Sequence, residues 1–160
     1  MQPTDQEAHF LRRVIQPALL GLMDGSVSTL APLFAAAFVT KNTHVAFLIG
    51  LSAATGAAIS MAFAEGLSDS GELTGRGHPV ARGSITGFMT FLGGIFHTLP
   101  FLSHNFRMAL FWAFLIVGFE LFIIAFIRYR YMKMRFWFSI LQVVVGGALV
   151  FLAGYLIGSS

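Results

Sequence analysis

Cysteine is absent from this 160-residue chain, and charged residues make up only 11% of it. The absence of cysteine excludes disulfide bonds and thiolate metal sites. The charged fraction is less than half of the roughly 25% found in average soluble domains, so an ordinary water-exposed surface is not expected. The sequence also lacks an HExxH pattern, a phosphate-binding glycine loop and a nucleophile with an adjacent base, and a membrane enzyme is therefore the weakest interpretation.

Apolar residues dominate the chain: 56% of it is hydrophobic and 18 residues are Phe. A helix needs a stretch of about 20 apolar residues to cross a bilayer. Five stretches meet this requirement, at residues 17–39, 44–66, 84–103, 108–127 and 136–158. We therefore expect an all-α integral membrane protein with five transmembrane helices per protomer and the lipid bilayer as its surroundings.

The organisation predicted from these spans is simple. Residues 1–16 form a short cytoplasmic N-terminal segment, and residues 17–160 form one transmembrane domain whose longest connection is 67–83. Residues 1–13 are polar and lack the apolar core of a cleavable signal peptide. Small residues at regular spacing predict close helix packing, which also permits a dimer; they are Ser52, Gly56, Ser60, Gly83, Gly87, Gly154 and Gly158.

The basic residues indicate the orientation, because Lys and Arg are retained on the cytoplasmic side of a membrane. In a five-span arrangement one side holds only Lys41 and Arg107, and the other holds Arg12, Arg13, Arg76, Arg82, Arg128, Arg130, Lys133 and Arg135. The N-terminus is thus predicted in the cytoplasm and the C-terminus outside. The formal charge of +3 is explained by topology and anionic lipids, and with no nucleic-acid motif present, no nucleic-acid partner is expected.

Three side chains in the first two spans predict a path for a metal cation. Asp24 lies about 10 Å and Met61 about 7 Å from the cytoplasmic ends of their helices, and Glu65 lies near the cytoplasmic mouth. Met61 and Glu65 are four residues apart and share a helix face. Carboxylate and thioether ligands together suit a transition metal such as Fe²⁺ better than Mg²⁺ or Ca²⁺. The alternatives are packing for Met61, an interfacial carboxylate for Glu65 and a helix cap for Asp24.

Other polar residues are secondary candidates. Glu120 lies at nearly the depth of Asp24 and is either a proton carrier or a buried structural partner. His97 and His104 lie toward the outer side, where a proton or metal exit path and a simple interfacial position are the two interpretations, the latter favoured. Between the second and third spans, Asp69, Glu72 and His78 either gather cations at the cytoplasmic entrance or form a solvated loop.

The chain resembles the vacuolar iron transporters over nearly its whole length. The segments LMDGSVSTLAPLFAAAF and GAAISMAFAEGLSDSG are the most specific, while GFMTFLGGIFHTLPF and VVVGGALVFLAGYLIG would be generic alone. The first of these segments, together with LTGRG and IRYRYM, is most similar to the transporter domain of bacterial membrane-bound ferritin, an iron exporter. The resemblance implies a bacterial plasma-membrane protein.

The resemblance also implies a homodimer that moves Fe²⁺ out of the cytosol against protons, through a path at the dimer interface lined by Asp24 and Met61. Transported Fe²⁺ or Mn²⁺ and protons are expected, and no permanently bound cofactor. The chain lacks both the glutamate-rich metal-collecting insert of eukaryotic members and the ferritin-like domain of membrane-bound ferritins. The delivery device is therefore missing, supplied by a ferritin-like partner, or part of a longer protein, and a membrane anchor that docks such a partner without carrying ions is the alternative function.

Overall fold

The computed structural model describes residues 5–159, and every regular element in that range is helical. The all-α prediction is confirmed. The helices are α1 Asp5–Phe10, α2 Gln16–Ser28, α3 Leu30–Thr40, α4 Thr43–Gly66, α5 Pro79–Phe96, α6 Phe106–Met132 and α7 Phe136–Ser159, with a π-helical turn at Leu11–Ile15 and a 3₁₀ turn at Leu99–Leu102.

The first span is longer than predicted, because α1, the π-helical turn, α2 and α3 form one helical run over Asp5–Thr40. Most of the polar opening segment is thus helical and continues across residue 16 into the membrane, while residues 1–4 lie outside the described part. Pro17 lacks an N–H and its ring would collide with the carbonyl of Arg13 in a regular α-helix. The wider π-helical turn immediately before Pro17 accommodates that clash.

This long run is interrupted once, at Thr29 between α2 and α3, where the backbone has φ −84° and ψ −16°. Pro32 explains the position of the break. A proline inside a helix removes one backbone hydrogen bond and collides with the carbonyl four residues earlier, which here belongs to Ser28. The helix therefore breaks beside a buried threonine, five residues after Asp24.

Within residues 5–159, four helical runs are long and apolar enough to cross a membrane, and the third predicted span is not among them. The prediction of one continuous helix over residues 84–103 is wrong. The helix, α5, begins earlier, at Pro79, where the ring of His78 accepts the backbone N–H of Val80, and it ends at Phe96, so that the 3₁₀ turn Leu99–Leu102 completes the crossing.

Helix α5 is packed between α2 and α4 through small residues. A Cβ on Gly83 or Gly87 would meet Ala62 of α4, and a Cβ on Gly94 would meet Ala54. On the other side, a Cβ on Gly21 or Gly25 of α2 would collide with the α5 backbone at Thr86 or Thr90. Close contact between backbones holds α5 in place. The helix therefore carries small residues where large apolar side chains would otherwise pack, and its mean hydropathy is low.

The remaining helices pack through larger side chains. Phe34 of α3 is buried and contacts Phe101 of the 3₁₀ turn, Phe114 of α6 and Phe151 of α7. On α7, Gly154 and Gly158 lie against Ala31 and Ala35 of α3. Many large apolar side chains face outward along α6 and α7, as expected where lipid replaces water as the solvent.

Candidate functional site

Contacts along α5 give the relative depths of Asp24 and Met61. Ala62 of α4 packs between Gly83 and Gly87, so Met61 lies level with about residue 86 of α5. Gly25 of α2 packs between Thr90 and Gly94, so Asp24 lies level with about residue 91. At 1.5 Å per residue, Asp24 lies about 7 Å farther along α5 from its N-terminal end than Met61 does.

The two side chains are also directed toward the same groove. Successive residues of an α-helix are about 100° apart around the axis. Asp24 precedes Gly25 and Met61 precedes Ala62, and Gly25 and Ala62 both face α5. Because α2 and α4 run in opposite directions, the rotation from Gly25 to Asp24 and the rotation from Ala62 to Met61 have opposite senses. Both side chains are therefore inferred to lie on the same side of α5, in the groove that α2 and α4 form there. Both residues are half-buried there, and the Ser28 side chain lies near the Asp24 carboxylate.

Glu65 lies in a buried ion-pair cluster and not in an open mouth. Its Oε1 accepts Nε of Arg82 at 2.9 Å and Nη2 of Arg76 at 2.7 Å. Arg82 is 1% exposed, and it also donates to the carbonyls of Glu65, Asp69 and Gly77. The interfacial interpretation of Glu65 is wrong, and a cation bound there would have to displace a guanidinium group.

The three residues predicted to gather cations at the cytoplasmic entrance, Asp69, Glu72 and His78, have different surroundings in the structure. Asp69 pairs with Arg76 and Arg82. Burial opposes its ionisation, but hydrogen bonds from Thr74 and Gly71 and the two arginine charges outweigh burial and lower the pKa of Asp69. The side chain of Glu72 is exposed. His78 caps α5. Asp69 is thus an ionised part of the Glu65 cluster, and these residues do not converge on one open site.

His97 and Glu120 form a buried pair. The Nδ1 atom of His97 lies 3.0 Å from Oε2 of Glu120, and its Nε2 atom lies 2.7 Å from Oγ1 of Thr29. His97 is 0% exposed and Glu120 4%. The favoured interfacial placement of His97 is therefore wrong, because α5 ends early and its last residues stay inside the helix bundle. His104, by contrast, is exposed in the connection before α6.

The hydrogen bonds link the proton positions in this pair. When Thr29 Oγ1 donates its single hydrogen to the carbonyl of Gly25, 2.8 Å away, it can only accept from His97, and Nε2 then carries a hydrogen. With a second proton between Nδ1 and the Glu120 carboxylate, on either atom, the pair is neutral as a whole, which is the arrangement that a buried site tolerates best.

The pair lies between a second polar side chain and an apolar cavity. The hydroxyl of Ser26 lies beside the Glu120 carboxylate, but Ser26 Oγ and Glu120 Oε1 have no hydrogen-bond partner among the described residues. Glu120 also lines a cavity of about 870 Å³ between α5 and α6. This cavity extends from Glu120 to Met108, about 18 Å away near the N-terminal end of α6.

The polar groups on α2 thus occupy two opposite faces. Ser26 is directed toward Glu120, Gly25 faces α5, and Asp24 is rotated about 200° from Ser26. The groove with Asp24 and Met61 is separated from the His97–Glu120 pair by the body of the helix. Within residues 5–159, no three His, Asp or Glu side chains come together as a metal site.

Sequence reasoning missed Thr29, Ser26 and the buried role of Arg82. Arg82 was counted among the cytoplasmic charges, although its place four residues into α5 puts it beside the end of α4. The usable signals were Pro32, which marks the helix break, and the glycines of the loop before Arg82, which permit positive φ at Gly71, Gly75 and Gly77.

A comparison with family models matches residues 65–159 to a model described as the VIT family. The matched segment contains the ion-pair cluster, the His97–Glu120 pair and the last three membrane-crossing segments. No curated protein and no solved structure gives a match.

Proposed function

Since the chain belongs to the VIT family, whose members move metal ions such as iron or manganese across membranes, we propose that it exports Fe²⁺ from the cytosol in exchange for protons. The proposal is supported by the packing of Gly25 and Ala62 against α5, from which their neighbours Asp24 and Met61 are inferred to lie on the same side of α5 at different heights. An ionisable side chain inside a membrane helix is costly and marks an ion pathway or a proton relay. A carboxylate and a thioether together suit Fe²⁺. Mn²⁺, a harder Lewis acid, is the alternative.

The transport site is formed by two copies of the chain. One protomer supplies only Asp24 and Met61 to the groove, too few ligands for a cation that has shed its water. A second copy across the groove between α2 and α4 would double this set to two carboxylates and two thioethers. The exposed face of α4 leaves room for a partner, because a Cβ on Gly56 would have no neighbouring atom within 4 Å.

Protons compete with the metal in this mechanism. Fe²⁺ arriving from the cytoplasm passes the Glu65 cluster and binds Met61 and Asp24. Protons from outside reach the carboxylates, neutralise them and release the ion. The His97–Glu120 pair is the second proton site, because it already holds a shared proton in a neutral, buried arrangement and lies at the end of a cavity extending outward. The protein acts in a bacterial plasma membrane with its N-terminus in the cytoplasm.

The experiment is Fe²⁺ flux into sealed proteoliposomes with an imposed pH gradient, comparing the wild type with Asp24→Asn. The amide keeps the size of the side chain and removes its charge, so we expect flux to be abolished in a protein that still folds. Ser28→Ala, which changes a polar side chain four residues along α2 and keeps the carboxylate, is the matched control and should retain flux. Wild-type flux in Asp24→Asn would refute the proposed site.

The same assay tests the alternative function. A membrane anchor for a ferritin-like protein would show no metal flux in the folded wild type, with or without a pH gradient.

A further inference from the structure

The hydroxyl of Thr29 links the His97–Glu120 pair to the helical turn that carries Asp24. It donates to the carbonyl of Gly25 and accepts from Nε2 of His97, at 2.8 and 2.7 Å. Gly25 directly follows Asp24 in the chain. A change in the direction of the Thr29 hydroxyl hydrogen therefore alters the hydrogen bonding of Gly25, the residue next to the proposed metal ligand. This holds even though the His97–Glu120 pair lies on the opposite face of α2.

Removing one proton from the pair forces such a change. Glu120 is then a carboxylate and the imidazole of His97 keeps a single N–H. Oε2 lies 3.0 Å from Nδ1, and two lone pairs facing each other in a buried site are unfavourable, so the remaining hydrogen moves to Nδ1. Nε2 becomes an acceptor. The hydrogen of Thr29 Oγ1 must then turn from the Gly25 carbonyl to Nε2.

We infer that Thr29 is a proton-driven relay: loss of one proton from the His97–Glu120 pair turns its hydroxyl away from Gly25 and frees a lone pair on that carbonyl beside Asp24. The free carbonyl oxygen adds negative potential next to the metal site and favours the cation. Return of the proton restores the Thr29–Gly25 bond and favours release. This inference rests on the proposed function, and it assigns to Thr29 a positioning role between the two sites.

The surroundings of the pair contain no competing charge. Within the described chain, the hydrogen bonds and ion pairs of His97 and Glu120 join them to each other and to Thr29, with the Ser26 hydroxyl beside the carboxylate. The cavity wall next to Glu120 is formed by uncharged side chains of α2, α5, α6 and the 3₁₀ turn. Asp24 lies on the far face of α2.

The tautomer change can be measured without any transport. Nitrogen-15 NMR of protein labelled at histidine, with His97→Gln used to assign the signals, should show a hydrogen on Nε2 at low pH. At high pH the remaining proton should reside on Nδ1. A proton retained on Nε2 at high pH would overturn the relay, because Thr29 would then never need to turn.

The transport arm uses Thr29→Val, which keeps the shape of the side chain and removes the hydroxyl. We expect folded Thr29→Val to carry Fe²⁺ at a rate that responds less to the pH gradient than the wild-type rate does, because only the direct protonation of Asp24 remains, and Thr29→Ser to restore the full response. Thr98→Val is the control, because Thr98 is equally buried and makes the same bond to a carbonyl four residues earlier, at 2.8 Å. A wild-type gradient response in Thr29→Val would overturn the relay.

The two arms separate the inference from the function on which it rests. Flux in the wild type without a tautomer change would refute the relay and leave the transporter intact. If the wild type shows the tautomer change but carries no metal under any gradient, the proposed function is refuted. The coupling between the His97–Glu120 pair and a metal site is then refuted as well. Should Thr29→Val fail to fold, Thr29→Ser and the NMR titration still decide.

Discussion

At the scale of single residues, hydropathy identified polar side chains in the membrane but not their partners. Asp24 and Glu120 stand out from the sequence because each interrupts an apolar stretch. The contacts of Glu120 could not be predicted, since they depend on how α2, α5 and α6 pack. His97 is 23 residues from Glu120 and 68 from Thr29, and no local pattern encodes such distances.

The Glu65 cluster leads to a prediction about two arginines that look alike in sequence. Arg82 is 1% exposed and bound at every side-chain nitrogen, whereas Arg76 is 28% exposed. Removing one partner of a buried ion pair costs about 3 kcal/mol or more, because the other charge stays buried and unpaired. Arg82→Met should therefore lower the free energy of unfolding by about 3 kcal/mol.

Arg76→Met is the matched control for that substitution. A partly exposed ion pair contributes up to about 1 kcal/mol, so its loss should be three times smaller or less. Unfolding of both variants in detergent, followed by circular dichroism, gives the comparison. Equal losses would contradict the assignment of Arg82 as the residue that holds the connection between α4 and α5 together.

At the scale of helices, composition predicted which segments are helical, while helix ends followed from capping and from proline. All five spans were predicted from their apolar length, and within residues 5–159 four of them correspond to helical runs long and apolar enough to cross a membrane. The limits of α5 were misjudged because its packing depends on glycine and threonine, which hydropathy scores as unremarkable. The break at Thr29 is a consequence of Pro32. The proline is visible in the sequence, but it does not indicate which side chain will pack against the break.

The glycines of α5 supply a test of this packing. A Cβ on Gly87 would lie 2.7 Å from Ala62 Cβ and 2.8 Å from the carbonyl oxygen of Ala58, so the helices would have to move apart. Gly87→Ala should destabilise the protein by about 1–3 kcal/mol, the usual cost of overpacking. The measurement is thermal unfolding in detergent.

The control for this prediction is Gly118→Ala in the middle of α6, where a Cβ would meet no atom within 4 Å. Alanine there should raise stability by about 0.5 kcal/mol, because it restricts the unfolded chain more than glycine does. A loss at residue 118 equal to that at residue 87 would mean that glycine is needed for flexibility and not for close approach.

At the scale of the whole molecule, the direction of transport depends on how the bundle is oriented in the membrane. The uneven distribution of Lys and Arg predicts that the α4–α5 connection faces the cytoplasm and that the connection before α6 faces outward. The Glu65 cluster then lies at the cytoplasmic end of the α2–α4 groove, and the cavity beside Glu120 extends toward the outside. Metal would enter on one side and protons on the other, as export by exchange requires.

The absence of cysteine allows a direct test of this orientation. Leu73 is fully exposed in the α4–α5 connection, and His104 is exposed before α6. A charged maleimide that cannot cross the plasma membrane, added to intact cells, should label His104→Cys and leave Leu73→Cys unlabelled until the cells are opened. The unsubstituted chain contains no thiol and serves as the blank. The opposite labelling pattern would place the Glu65 cluster outside, and the same proton gradient would then drive a different direction of metal movement.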